Sequence, residues 1–151
     1  MPASPEQLHD LLQYCMDFGK MMLEDAGEFH PFGAAIRVDG ELVAFGGYDG
    51  NEHPDPEDIY QLLVDALAAD ARAGGALAIA IAANVNIPAG YKSPSPEGLR
   101  VQLETESYSR FIYVPYTLAK KGLFKRTTIA NYGEPISVDG PPQAFIKPGA
   151  P

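Results

Sequence analysis

The chain has 151 residues, 46% of them apolar, and a formal charge of −9 at pH 7. That length suits a single domain able to bury roughly 70% of its unfolded surface without a disulfide or structural metal. Cys15 is the only cysteine, which excludes an intrachain disulfide, and its helical context makes it a buried thiol.

No apolar run reaches the ~18 residues of a membrane span. No basic start followed by an apolar stretch marks a secretory signal, so the expected location is the cytoplasm, with no membrane partner. The charge is unevenly placed. Residues 1–106 hold 18 Asp/Glu against 5 Lys/Arg, a net of −13, while residues 107–151 hold 2 against 6, a net of +4. An acidic body repels a phosphate backbone, which makes nucleic acid an unlikely partner. It speeds encounter with a basic protein surface.

Ser4-Pro5-Glu6-Gln7 reads as a helix start, with Ser4 as cap, Pro5 at the first position and Gln7 closing a capping box. Leu8, Leu11, Leu12, Cys15, Phe18 and Met22 follow at helical spacing, and Gly27 is the expected stop. Tyr14, Met16, Met21 and Leu23 widen the apolar stripe, for deep burial or for contact with another chain. A hairpin follows, with strands 33–38 and 41–48 around Asp39-Gly40 as a type I′ turn. Alternation places Ala34, Ile36 and Val38 on one face.

Asp55 caps a second helix with Pro56 at its first position and Glu57 and Asp58 near its positive end. Its expected stripe is Ile59, Leu62, Leu63, Ala66 and Leu67, ending at Gly74-Gly75. Residues 76–87 read as a central strand with Leu77, Ile79 and Ile81 on one face and alanines on the other. After a Pro/Ser/Gly loop, Leu99, Val101 and Leu103 alternate with Arg100, Gln102 and Glu104 in a half-buried strand. Strands over 108–116 and 123–132 complete the set.

The expected fold is α+β: a mainly antiparallel, five- to six-stranded sheet with two main helices, in the order helix, hairpin, helix, three to four strands. Residues 1–133 form the domain, and the Pro-rich segment 134–151 is expected to run irregularly over the surface.

Pro31-Phe32-Gly33-Ala34-Ala35-Ile36 and Asp39-Gly40-Glu41-Leu42-Val43-Ala44 resemble the first hairpin of cytidine deaminases, and the flanking helices match that fold's order. The element order also resembles a profilin- or roadblock-like sandwich. Deaminase chemistry needs a zinc-bound water held by one His or Cys and by a Pro-Cys-x-x-Cys element. That element is absent here, so the hairpin implies a deaminase-like scaffold without the zinc site and with no cofactor. Glu28–Ala34, Tyr48–Pro54 and Ala76–Ala83 resemble elements of a group of small acidic bacterial proteins, a resemblance that implies no activity.

Candidate chemistry gathers around the hairpin. His30 and His53 flank its two ends, which lie side by side in space, so with Glu28 and Glu52 they form a candidate acid–base set. Asp49, Asn51, His53 and Asp55 carry oxygen and nitrogen donors suited to a divalent cation, without the full calcium-loop pattern. Ser93, Ser95, Ser107 and Ser109 sit in turn-like contexts, and no phosphate-binding glycine loop is present. Lys120, Lys121, Lys125 and Arg126 make a small basic cluster near Tyr113, Tyr116 and Phe124.

The first functional reading is a small acidic protein-binding module for a basic partner, of the immunity type that neutralises a toxin. Tyr48, Asp49, Glu52, His53, Asp55 and Tyr60 are its candidate contacts. The alternative is an enzyme on the deaminase-like scaffold using His30, His53 and the 49–55 loop. Self-association is the third option.

Overall fold

The computed structural model describes residues 3–46 and 55–145. The first helix, α1, is Pro5–Ala26. Its capping box forms as expected: the Gln7 N–H donates to Ser4 Oγ at 3.1 Å and the Ser4 N–H to Gln7 Oε1 at 2.9 Å. Gly27 closes it at φ 77°, a left-handed conformation natural to glycine, with its N–H on the Leu23 carbonyl.

Strands β1 (Phe32–Arg37) and β2 (Leu42–Gly46) form the hairpin, in register from Phe32↔Gly46 to Ile36↔Leu42. The turn differs from the type I′ expectation. The Gly40 N–H bonds the Arg37 carbonyl, and Gly40 alone in the turn has positive φ, at 91°. One left-handed residue after a tight reversal is the longer-loop solution, and it leaves Val38 in the turn, 61% exposed rather than on the Ala34–Ile36 face.

The second helix, α2, is Pro56–Arg72, capped by the Asp55 carboxylate on the Glu57 N–H at 2.9 Å. Its buried stripe is Ile59, Leu63, Val64, Leu67 and Ala68, so Leu62 and Ala66 face outward, contrary to the expected stripe. The stripe rides over Gly33, where a β-carbon would meet the Ala80 carbonyl oxygen at 3.0 Å and Leu67 Cδ1 at 3.1 Å.

Five strands follow: β3 (Ala76–Asn86), β4 (Glu97–Thr105), β5 (Tyr108–Lys121), β6 (Thr127–Tyr132) and β7 (Ile136–Asp139). Among the described residues the sheet has seven strands, one more than the largest number expected, in the order β2-β1-β3-β4-β5-β6 with β7 also on β5. Every pairing is antiparallel.

One helix covers each face. Ala34, Ile36, Ala78, Ala80, Ala82, Leu99, Val101 and Leu103 pack with Leu11, Cys15 and Leu23 of α1. Ala35, Ile79 and Ile81 pack with Ile59, Leu63, Val64 and Leu67 of α2. Leu77 joins the α1 side rather than Ile79 and Ile81, because the β1–β3 register shifts between Ile36 and Arg37 and reverses the alternation there.

The segment after Gly133 corrects the expectation of an irregular surface tail. β6 and β7 run end to end along β5, Tyr116 pairing with Tyr132 and Tyr113 with Ile136. Together they cover an edge that would otherwise expose unpaired backbone groups. Arg110 fixes the second piece through Ser137 Oγ at 2.7 Å and Asp139 Oδ1 at 2.8 Å. Ala144 then returns to the α2-side core, 2% exposed. Among the described residues no helix is long and apolar enough to cross a membrane.

Candidate functional site

Strand β4 is the central finding. Alternation sends Leu99, Val101 and Leu103 to the α1 side and Arg100, Gln102 and Glu104 to the α2 side. The polar row was expected to face water. Instead Gln102 and Glu104 are both 0% exposed. β4 lies between β3 and β5, and its polar face is roofed by α2 and the C-terminal segment.

Burying polar groups is tolerable only when they are bonded. Tyr60 Oη on α2 donates to Gln102 Oε1, and Gln102 Nε2 donates to Glu104 Oε2. Glu104 Oε1 accepts three consecutive backbone N–H groups, from Gln143 and Ala144 at 3.0 Å and Phe145 at 3.3 Å. Successive amides converging on one anion form a nest. Here it holds the end of the described chain against β4. Burial raises the Tyr60 phenol above its ordinary range, and the Arg100 charge beside it partly opposes that shift.

Arg100 is the exception in this row. Its Cζ lies 4.8 Å from the Phe111 ring centroid and 5.4 Å from that of Tyr60, a cation–π contact on both rings. Its Nε is buried without a hydrogen-bond partner. The three ion pairs among the described residues, Lys20–Glu24, Arg37–Asp70 and Arg110–Asp139, leave it out.

Arg100 lines a cavity of about 550 Å³, together with Glu28, Phe29, His30 and Pro31 before β1, Pro56, Glu57, Tyr60 and Gln61 of α2, and Ala83, Asn84 and Val85 of β3. That volume is in the range that holds a small molecule or a few side chains. Its composition is mixed. The apolar groups give area, the exposed Glu28 and Glu57 are acidic, and Arg100 is a recessed cation.

Three of the sequence candidates meet here: Glu28, His30 and Tyr60. Asp55 stands exposed at the adjoining helix start, its Oδ1 accepting the capping N–H of Glu57 at 2.9 Å. Tyr48, Asp49, Asn51, Glu52 and His53 lie outside the described residues, and with them the His30–His53 pairing. No group of three or more His, Cys, Asp or Glu suited to a metal converges among the described residues. Of the serines set aside, Ser109 is the notable one, its Oγ buried without a partner opposite Glu104.

Sequence reasoning missed Arg100, Gln102, Glu104 and Asn84. The available signal was a strand whose polar half sits between two other strands. Its use required knowing that β4 is interior to the sheet. Comparison with known protein families, characterised proteins and solved structures gives no match to this chain.

Proposed function

We propose that this protein is a binding module for a basic protein partner, of the kind that neutralises a toxin, and that the cavity beside α2 is the socket for one carboxylate of that partner. The observation that carries this reading is Arg100: a recessed guanidinium in cation–π contact with two rings, with no carboxylate within ion-pair distance among the described residues. Guanidinium presents a planar fork that suits a carboxylate, and a ligand carboxylate would give it the counter-charge that no described residue supplies.

Long-range charge selects what carries that carboxylate. A free small anion is repelled by a chain of net −9. A carboxylate set in a basic surface is drawn in, Glu28 and Glu57 meeting the basic residues around it.

The test uses Lys/Arg-rich peptides ending in a free carboxylate, compared with the same peptides as C-terminal amides, in a fluorescence-anisotropy titration. The free acids bind tighter. Arg100→Met keeps the aliphatic bulk and removes the fork, abolishing the acid-over-amide preference. A charge-assisted pair of about 1.5–3 kcal/mol makes that preference roughly 10- to 150-fold. Equal affinity of acid and amide for the native protein contradicts the reading.

Glu28 and His30 line the same cavity, which supports the enzyme reading as a second one. It predicts a ligand returned chemically altered, with turnover lost in His30→Ala, where a binding module returns its ligand unchanged.

A further inference from the structure

The connection between β5 and β6 is built as a projecting tip. Gly122 at φ 111° starts a reversal in which the Lys125 carbonyl fills the space a β-carbon would need. Leu123 and Phe124 stand at the apex, 95% and 101% exposed. Lys120, Lys121, Lys125 and Arg126 flank them on both sides, all exposed. No Asp or Glu occurs from Ser107 to Gly133. Two large apolar side chains wholly in water contribute nothing to either core, so their role lies outside the fold.

We propose that this tip docks on an anionic lipid surface, Leu123 and Phe124 entering the headgroup–acyl boundary and the four cations meeting the lipid charges around them. Such a surface offers an apolar layer and negative charge at the same place, which is what the tip presents in reverse. An acidic protein face answers the charge but leaves the apolar pair in water. A single strand of nucleic acid stacks on Phe124 and leaves Leu123 unpaired.

No carboxylate within the tip's own segment, Ser107 to Gly133, opposes the approach. Glu24, the carboxylate bonded to the β5–β6 ladder, attaches at Ala130 and is paired with Lys20 at 3.5 Å. Ala130 lies three residues, roughly 10 Å, from the tip end of β6, beyond the Debye length of about 8 Å at physiological salt. The expectation of no membrane partner rested on the want of a spanning segment. A peripheral contact through a tip needs none.

The test is cosedimentation of the full chain with phosphatidylcholine vesicles, with and without about 30% phosphatidylglycerol, at about 0.1 M and 0.5 M salt. The expected result is association with the anionic vesicles at low salt only. It falls about ten-fold or more both in Leu123→Ser/Phe124→Ser and in the variant with Lys120, Lys121, Lys125 and Arg126 changed to Gln. Both variants alter only exposed positions, and an unchanged thermal midpoint verifies their fold. Three results overturn the proposal: no association with anionic vesicles, association indifferent to Leu123→Ser/Phe124→Ser, or lipid-free dimerisation in sedimentation velocity that this pair of substitutions abolishes. The last assigns the tip to a second copy of the chain.

Discussion

Glu104→Leu removes the acceptor around which the C-terminal segment is folded, with little change in side-chain volume. In the native chain Glu104 takes the N–H groups of Gln143, Ala144 and Phe145 and the amide of Gln102, and both Glu104 and Gln102 are 0% exposed. Hydrogen bonds to a charged acceptor contribute about 1.5–3 kcal/mol each, so three orphaned backbone donors would cost about 4.5–9 kcal/mol if they stayed buried. They need not stay buried. Residues 143–145 lie beyond β7, outside the strand ladders, and can peel into water, which caps the loss at the docking energy of Ala144 and Phe145 plus the stranded Gln102. The net expectation is about 3 kcal/mol, the upper part of the usual range for a single substitution that breaks a buried hydrogen-bond network. For a domain of this size that lowers the midpoint by about 6–12 °C.

Glu104→Gln is the control. It keeps one oxygen for the three N–H groups, and Gln102 and Tyr60 can reverse their bond directions to meet its amide, so its loss is the smaller. The assay is urea unfolding together with amide hydrogen exchange. Amides 143–145 lose protection in Glu104→Leu while those of β3 retain theirs against local opening. A loss under about 0.5 kcal/mol, or protection of 143–145 unchanged, refutes the role assigned to this carboxylate.

Two further outcomes follow from the packing. Gly33→Ala places a methyl against the Ala80 carbonyl and Leu67, and overpacking at this crossing costs about 1–3 kcal/mol by urea unfolding; a neutral substitution shows that α2 can shift. Burial pushes the Cys15 thiol up to about 12 from its ordinary 9.0. The unfolded chain therefore loses that proton first, so the thiol's contribution is whole below pH 9.0 and disappears as pH rises toward about 12. The raised phenols of Tyr60, Tyr116 and Tyr132 act in the same direction. Stability measured from pH 8 to 11 falls steeply in the native chain and less so in Cys15→Ala; parallel profiles contradict the assignment.

Local rules carried most of the secondary structure. Ser4, Pro5, Gln7 and Gly27 act within a few residues of one another, so α1 was readable to its ends. The Asp55 cap was readable for the same reason. What escaped depends on partners distant in sequence. Leu77 changed sides because of a register shift against β1, 40 residues earlier in the chain. Ile136–Asp139 is a strand because β5 offers it an edge. Its prolines lie outside that stretch, so their density across 134–151 hid four residues able to pair.

The candidate site divides in the same way. Glu28, His30 and Tyr60 were readable because the ends of a hairpin and the helix after it must lie close together. Arg100, Gln102 and Glu104 were read as a solvated face because alternation tells which residues share a side of a strand, not whether that side is covered. The cover comes from α2 and from residues 143–145, a contact spanning about 40 residues of chain.

The most direct test of the central claim is the Nε–H resonance of Arg100 in ¹⁵N-edited NMR, assigned by its loss in Arg100→Met. With the guanidinium over the rings of Phe111 and Tyr60, it should be ring-current shifted in the free protein. Titration with a basic peptide carrying a free C-terminal carboxylate is predicted to move it saturably, and the matching amide to leave it in place. A resonance that responds equally to both peptides, or to neither, contradicts Arg100 as the anchor.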